Sequence, residues 1–212
     1  QSAQKKATPY HSPINAYLAI FQSPQAMVFT MAICCLVVPY WVFIGMAPIL
    51  YMEDFGVNLE KFGFYQGALA ITFSAVSLGS GIFLRYYGQY QCFRFGVMLT
   101  VLSTFLIVGL VIFDIRQPLV ITGVLLLFSV GVVMPVNILY PLALESQQNA
   151  KGRMAAIIQA LRLILTALGL EMGGYFYSGS FRPLGILMAG SLGFAFFFIR
   201  SMQHEQLLKW QS

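Results

Sequence analysis

Six long, predominantly apolar runs dominate this chain, at about Ala26–Met52, Phe62–Leu84, Phe95–Phe113, Leu119–Leu144, Met154–Tyr177 and Leu184–Ile199. A bilayer core of about 30 Å needs about 20 apolar residues per helix, and each run meets that length or reaches it with its flanks. Strands of a membrane barrel would be about ten residues long and would alternate, whereas these runs are continuously apolar. Charged residues make only 9% of the chain, against about 25% in soluble domains. A soluble fold lacks the core volume to hide so much apolar surface, and disorder requires low hydrophobicity. The reading is an all-α membrane protein with six transmembrane helices. The chain opens on Gln1 rather than Met, so we expect a piece of a longer polypeptide.

The connectors punctuate these helices. Ser23-Pro24 reads as a cap and first-turn proline for the first span. Asn58 caps the second after Gly56, and Gly88 can take a left-handed turn after it. Asp114–Pro118 separates the third and fourth spans, and Ser178–Pro183 the last two. In front of them, Ile14, Tyr17, Leu18 and Phe21 fall on one helical face. Residues 13–22 therefore read as a short amphipathic helix on the membrane surface, with an irregular linker as the alternative. The domain division is a linker over 1–24, a six-helix bundle over 25–200 and a tail over 201–212.

Six spans put both ends on one side. That side holds Lys5, Lys6, Arg85, Arg94, Lys151, Arg153, Arg200 and Lys209, while the other holds Lys61, Arg116 and Arg182. The excess of cations places both ends in the cytoplasm. The net charge of +5 is thereby a topology signal, and no nucleic-acid partner is read from it. Cys34, Cys35 and Cys92 have neither disulfide nor metal spacing and read as small buried hydrophobes. His11 and His204 sit alone in the tails. The metal-hydrolase, nucleophile-elbow and phosphate-loop signatures are missing, and no ring of charges suggests a channel filter. We expect no enzyme, cofactor or metal.

A weak repeat runs through the chain. Pro39 and Pro48 mark the first span, and Pro135 and Pro141 mark the fourth. Three helices followed by three must run in opposite senses, the pattern of a 3+3 inverted repeat. Interrupted helices at matching places in such a repeat point to a binding site near the midplane.

Arg162 is the most informative side chain, lying about ten residues into the fifth span and so near mid-membrane. An arginine there costs at least about 2.5 kcal/mol and must face protein or a wet cavity. Gln159, Arg162, Thr166, Gly169 and Gly173 share one helical face, which reads as a cavity border. Arg162 is then either a substrate contact or a structural pin. Glu171 points half a turn away, as a proton carrier or a polar anchor. Ser129, Asn137 and Tyr140 share a face of the fourth span, where Pro141 frees the carbonyl of Asn137. Asn137 is a ligand contact or a repair of that kink. Thr30, Cys34, Trp41 and Gly45 share a face of the first span beside Tyr40, suiting a bulky apolar or cationic ligand or simple packing. Gly63-x-x-x-Gly67 and Gly169-x-x-x-Gly173 permit close helix contact.

Three stretches carry a resemblance: APILYMEDFGVNLEKFGFYQGALA (47–70), GSGIFLRYYGQYQCFRFG (79–96) and MPVNILYPLALESQQNAKGRMAAIIQAL (134–161). They resemble the C-terminal half of a major facilitator superfamily transporter, in the Bcr/CflA branch of drug:proton antiporters. In the second stretch Gly81, Arg85 and Gly88 match the cytoplasmic loop motif, with Gln89-Tyr90 where the family has a basic pair. The resemblance implies helices seven to twelve of a twelve-helix parent in the bacterial inner membrane. It implies proton-coupled efflux of small amphipathic molecules by alternating access, across a midplane site shared with an N-terminal six-helix half. The spans carrying Gly63, Gly67, Gly169 and Gly173 would face that half and pack its outer gate. The family's proton-coupling acid lies in the other half. Arg162 departs from the family pattern and favours an anionic or zwitterionic group, as on an anionic metabolite or siderophore. A six-helix scaffold without transport is the reading from another class.

Overall fold

The computed structural model describes residues 13–203. The stretches 1–12 and 204–212, with His11, His204, Lys5, Lys6 and Lys209, lie outside the described residues. Every regular element among the described residues is helical: α1 (Pro13–Phe21), α2 (Pro24–Pro48), α3 (Leu59–Ile112), α4 (Pro118–Glu145), α5 (Lys151–Tyr175) and α6 (Arg182–Gln203). A π-helical stretch, Ile49–Asp54, extends α2, and a 3-10 turn, Gln148–Ala150, precedes α5. Helices α2 to α6 are long and apolar enough to cross a membrane.

The starts of these helices follow from their caps. The Ser23 hydroxyl accepts from the Ala26 N–H at 3.4 Å, with Pro24 as the first helical residue. Proline is suited to that position because its missing N–H would have had no helical partner. The Asn58 side chain accepts from the Lys61 N–H at 3.0 Å, and Gly56 before it takes a φ of 63°.

Helix α3 has 54 residues and would be about 81 Å long if straight. Both its ends nevertheless converge on Tyr51. The Tyr51 ring centroid is 6.1 Å from that of Phe62, near the start of α3. The Tyr51 hydroxyl is 3.3 Å from the carbonyl of Pro118, just past its end. The axis therefore folds back on itself, and Gly88, with φ 76° and ψ 162°, is the non-helical residue inside it. Residues 59–87 and 89–112 form two antiparallel arms, each long enough to cross the membrane. The second and third apolar runs are these arms.

That φ and ψ combination is open in practice to glycine alone, and strain there costs of order 1–3 kcal/mol. A Cβ on Gly88 would meet nothing within 4 Å, so the cost of substitution is purely conformational. Gly88→Ala is expected to lower stability by about 1–3 kcal/mol, measured as unfolding of the purified protein in detergent. Unchanged stability would show that the elbow does not depend on this residue.

Two ends of the bundle can now be distinguished, one at Gly88 and one at Tyr51. Helices α2 and α5 run parallel, since Cys34 meets the Ile158 carbonyl and Gly45 meets Leu170. Helix α6 runs against α2: the Ser191 hydroxyl donates to the Cys35 carbonyl at 2.9 Å, and Phe181 lies 6.4 Å from Phe43. The start of α2 and the end of α6 thus share the Gly88 end.

The core is centred on α2, whose Ala32, Leu36, Phe43 and Leu50 are fully or almost fully buried. It joins Phe128 and Val132 of α4, Ile158 of α5 and Leu184 and Leu192 of α6. Several hydroxyls in the interior are satisfied locally. Thr30, Thr100, Thr122 and Ser129 each donate a hydroxyl to the carbonyl one turn earlier, which removes the cost of an unpaired donor in an apolar medium. Large apolar side chains such as Phe105 and Leu119 point outward, as expected when the solvent is lipid.

The proline reading needs correction. Helices α2 and α4 continue through Pro39, Pro135 and Pro141. Packing on both sides, where Gly96 admits Pro135 against α3, holds the axis together, as neighbouring helices commonly do for proline in membranes. The irregularity follows Pro48, as the π-helical stretch at the Tyr51 end, and no unwound segment interrupts either helix.

Candidate functional site

Arg162 lies midway along α5 and stacks on Trp41 of α2, its guanidinium carbon 5.6 Å from the ring centroid. Its Nε is buried and makes no hydrogen bond, and no carboxylate pairs with it among the described residues. The contact continues across the bundle. Trp41 meets Tyr40 edge to face at 5.8 Å, and Tyr40 packs on Phe73 of the first arm of α3 at 4.9 Å. Trp41 remains 41% exposed while Tyr40 is buried. The cation is thus held against an aromatic face that stays open on one side.

One turn beyond Phe73 a polar clamp joins α3 to α4. The Asn137 amide donates to Ser80 at 2.9 Å and to Ser77 at 3.4 Å, while the Ser80 hydroxyl donates to the Ser77 carbonyl at 2.7 Å. Asn137 commits its amide nitrogen to α3, a contact that the proline-kink reading did not contain. Tyr140 is half-buried one turn further along α4. Gln159 is exposed and Thr166 half-buried on α5. Glu171 is exposed, without a hydrogen bond or ion pair to a described residue.

Several face assignments change. Gly169 and Gly173 pack inside this chain: a Cβ on Gly169 would lie 2.6 Å from Val42, and one on Gly173 would touch Leu184 and Met46. They join α5 to α2 and α6. The α2 face of Thr30, Cys34, Trp41 and Gly45 likewise meets α5 across much of its length, with Thr30 and Cys34 fully buried. Helical spacing identifies a small or polar face but not the neighbour that covers it. Gly63 and Gly67 differ, since neither has an atom within 4 Å of a Cβ position.

Gln66, Phe73, Ser77 and Ser80 join the site without standing out in the sequence. Gln66 donates to the Ile44 carbonyl at 3.4 Å and leaves its Oε1 buried and unpaired. Their common signal, four polar or aromatic residues on the inward stripe of the second run, was present but diluted by serines and glycines elsewhere on it.

Some of the charges at the Tyr51 end are paired. Asp114 pairs with Arg116 at 3.1 Å and with Arg182 at 3.3 Å. The Tyr177 hydroxyl donates to Asp54. Burial first, then this bond and the nearby carboxylates, push the Tyr177 phenol well above its usual value. No cluster of His, Cys, Asp or Glu among the described residues could hold a metal. The loop residues Gly81, Arg85 and Gly88 are exposed at the other end. No protein-family profile, characterised protein or solved structure matches the chain.

Proposed function

We propose that this chain is the substrate-bearing half of a secondary active transporter for small amphipathic solutes, proton-coupled and working by alternating access. The observation that carries the reading is Arg162: a mid-membrane cation on an aromatic face, with a buried donor and no counter-charge among the described residues. A buried charge without a partner is costly. A solute that supplies the partner turns that cost into recognition. The same observation favours a solute with an anionic or zwitterionic group, such as an anionic metabolite, over a purely cationic drug. Trp41, Tyr40 and Tyr140 would hold its apolar body, and Asn137, Gln159 and Thr166 would orient its polar groups.

The opposed directions of α2 and α4 support a 3+3 inverted repeat. The uncovered first arm of α3, with Gly63 and Gly67 open and Phe64, Ile71 and Leu78 exposed, supports a second six-helix half lying over it. Arg85, Arg94, Lys151, Arg153 and Arg200 mark the Gly88 end against one described carboxylate there, Glu145. That bias supports an orientation with this end cytoplasmic, and the bacterial inner membrane is what the family resemblance implies. Glu171 is the proton-carrying acid available on this chain, and the other half would supply a second.

The test is flux through proteoliposomes containing the full gene product under an imposed pH gradient. An amphipathic organic anion, a zwitterion and a cationic dye serve as probes. Gradient-driven flux of the anion or zwitterion, abolished by a protonophore, is expected. Flux of the cation alone would overturn the role given to Arg162, and no gradient-dependent flux of any probe would leave the scaffold reading.

A further inference from the structure

The angle between the two arms of α3 encloses a cavity of about 580 Å³ that the transport reading does not use. Phe83 and Tyr87 wall it from the first arm, Cys92 and Phe95 from the second, and Met134 from α4. It exists because Gly88 turns the axis back and neither arm fills the corner. Phe83 and Tyr87 stack on each other, 6.3 Å apart and tilted by 20°, and so lie along one wall. These two rings and Phe95 are each half or more exposed, which opens the cleft onto the outer surface of the bundle. Its far lining residue, Ala75, is thirteen residues from Gly88, about 20 Å along the helix. One leaflet of a bilayer core is about 15 Å deep, so the slot has the depth of an acyl chain.

A second cavity, of about 430 Å³, adjoins it. The two share Gln91 and Phe95, and Arg94 lines the second. Arg94 is exposed and lies 5.8 Å from the Tyr90 ring, with no carboxylate partner among the described residues. An apolar slot of leaflet depth therefore ends beside an unpaired cation, at the end of the bundle where cations exceed carboxylates.

We propose that these adjoining cavities bind one anionic phospholipid from the leaflet at the Gly88 end, with an acyl chain between the arms and the phosphate against Arg94. Gln91, common to both cavities, donates to the head group at their junction. The site stands independently of any transported solute, and a lipid seated there wedges the two arms apart at the Gly88 elbow.

Native mass spectrometry of the purified protein, titrated with dioleoyl phosphatidylglycerol or dioleoyl phosphatidylcholine, tests this. One saturable phosphatidylglycerol adduct is expected, favoured over phosphatidylcholine by about fivefold, the contribution of one basic side chain near an anionic head group. Arg94→Gln should erase that preference, and Ala75→Trp, which fills the slot, should remove the adduct. Equal binding of the two lipids, or a preference that survives Arg94→Gln, overturns the head-group assignment. An undiminished adduct in folded Ala75→Trp overturns the slot. Should that variant fail to fold, the wild-type protein is photolabelled with phosphatidylglycerol carrying a diazirine in its acyl chain. Labels concentrated in residues 75–95 support the site, and labels spread evenly over the lipid-facing helices mean bulk lipid only and overturn it.

Discussion

Arg162→Ala is expected to lower kcat/KM for an anionic or zwitterionic solute by roughly ten- to a hundredfold, because a hydrogen bond to a charged group contributes about 1.5–3 kcal/mol. The amount of protein inserted in the membrane should not fall. A central arginine opposes insertion by about 2.5–3.5 kcal/mol, and its stacking on Trp41 returns at most about 2 kcal/mol. Removing it relieves the remainder, which no carboxylate among the described residues offsets. Arg162→Lys keeps the charge but loses the planar fork and the stack, so it should retain part of the flux with a raised KM. Arg162→Gln should lose discrimination between anionic and cationic probes. Trp41→Leu separates the two elements of the contact: it leaves the charge, frees the guanidinium and should weaken the affinity for the apolar body of the solute. Transport and insertion assays on the same preparations decide the matter. If Arg162→Ala inserts poorly or misassembles while Arg162→Lys is normal, the residue is a structural pin bound to backbone, and the substrate role is lost.

The helix boundaries were legible because caps act through local chemistry. Ser23, Pro24, Asn58 and Gly56 do in the structure what their side chains favour in any chain. Gly88 was legible as a turn. How the two arms on either side of it lie together was not, since that depends on packing rather than on local chemistry. Which helices pack on the small face of α5 was not legible for the same reason. Gly169 and Gly173 mark a close approach, and only the packed structure shows that Val42 and Met46 make it. Arg162 announced itself by its cost in an apolar run, but its partner Trp41 is 121 positions away, and no periodicity links the two. The cavity between the arms was invisible for a further reason. Its walls come from residues 75–95 and from α4, and each wall read alone is an ordinary lipid-facing stripe.

The contact that holds α4 against the second arm of α3 rests on two glycines, and Gly131→Val should be the most damaging single change in the bundle. A Cβ on Gly131 would lie 2.7 Å from the Thr100 backbone nitrogen and 3.0 Å from the Leu99 carbonyl carbon. Backbone atoms cannot rotate aside as a side-chain tip can, so the helices must separate. The reciprocal contact is equally tight: a Cβ on Gly96 would lie 2.5 Å from Pro135 Cδ and 3.0 Å from the Gly131 carbonyl oxygen. Thr100 sits between them, its hydroxyl donating to the Gly96 carbonyl at 2.8 Å, so the same turn cannot shift without exposing a buried hydroxyl. Overpacking of this kind costs about 1–3 kcal/mol and at times more, and the upper end is expected where both partners are backbone. Gly109→Ala is the control, since a Cβ there meets nothing within 4 Å and alanine gains up to about 1 kcal/mol of helix propensity. Unfolding in detergent should therefore separate the two variants by about 3 kcal/mol or more. Equal stabilities would mean that α4 slides along α3 at little cost, and the tight contact would then not fix the register of Asn137 on Ser80. A large loss in Gly131→Val accompanied by an intact Asn137–Ser80 bond, read from the nitrogen-15 shift of the Asn137 amide, would instead place the separation at the second arm alone. Because Val130 and Met134 flank the cavity on either side of Gly131, that separation should also widen the slot between the arms.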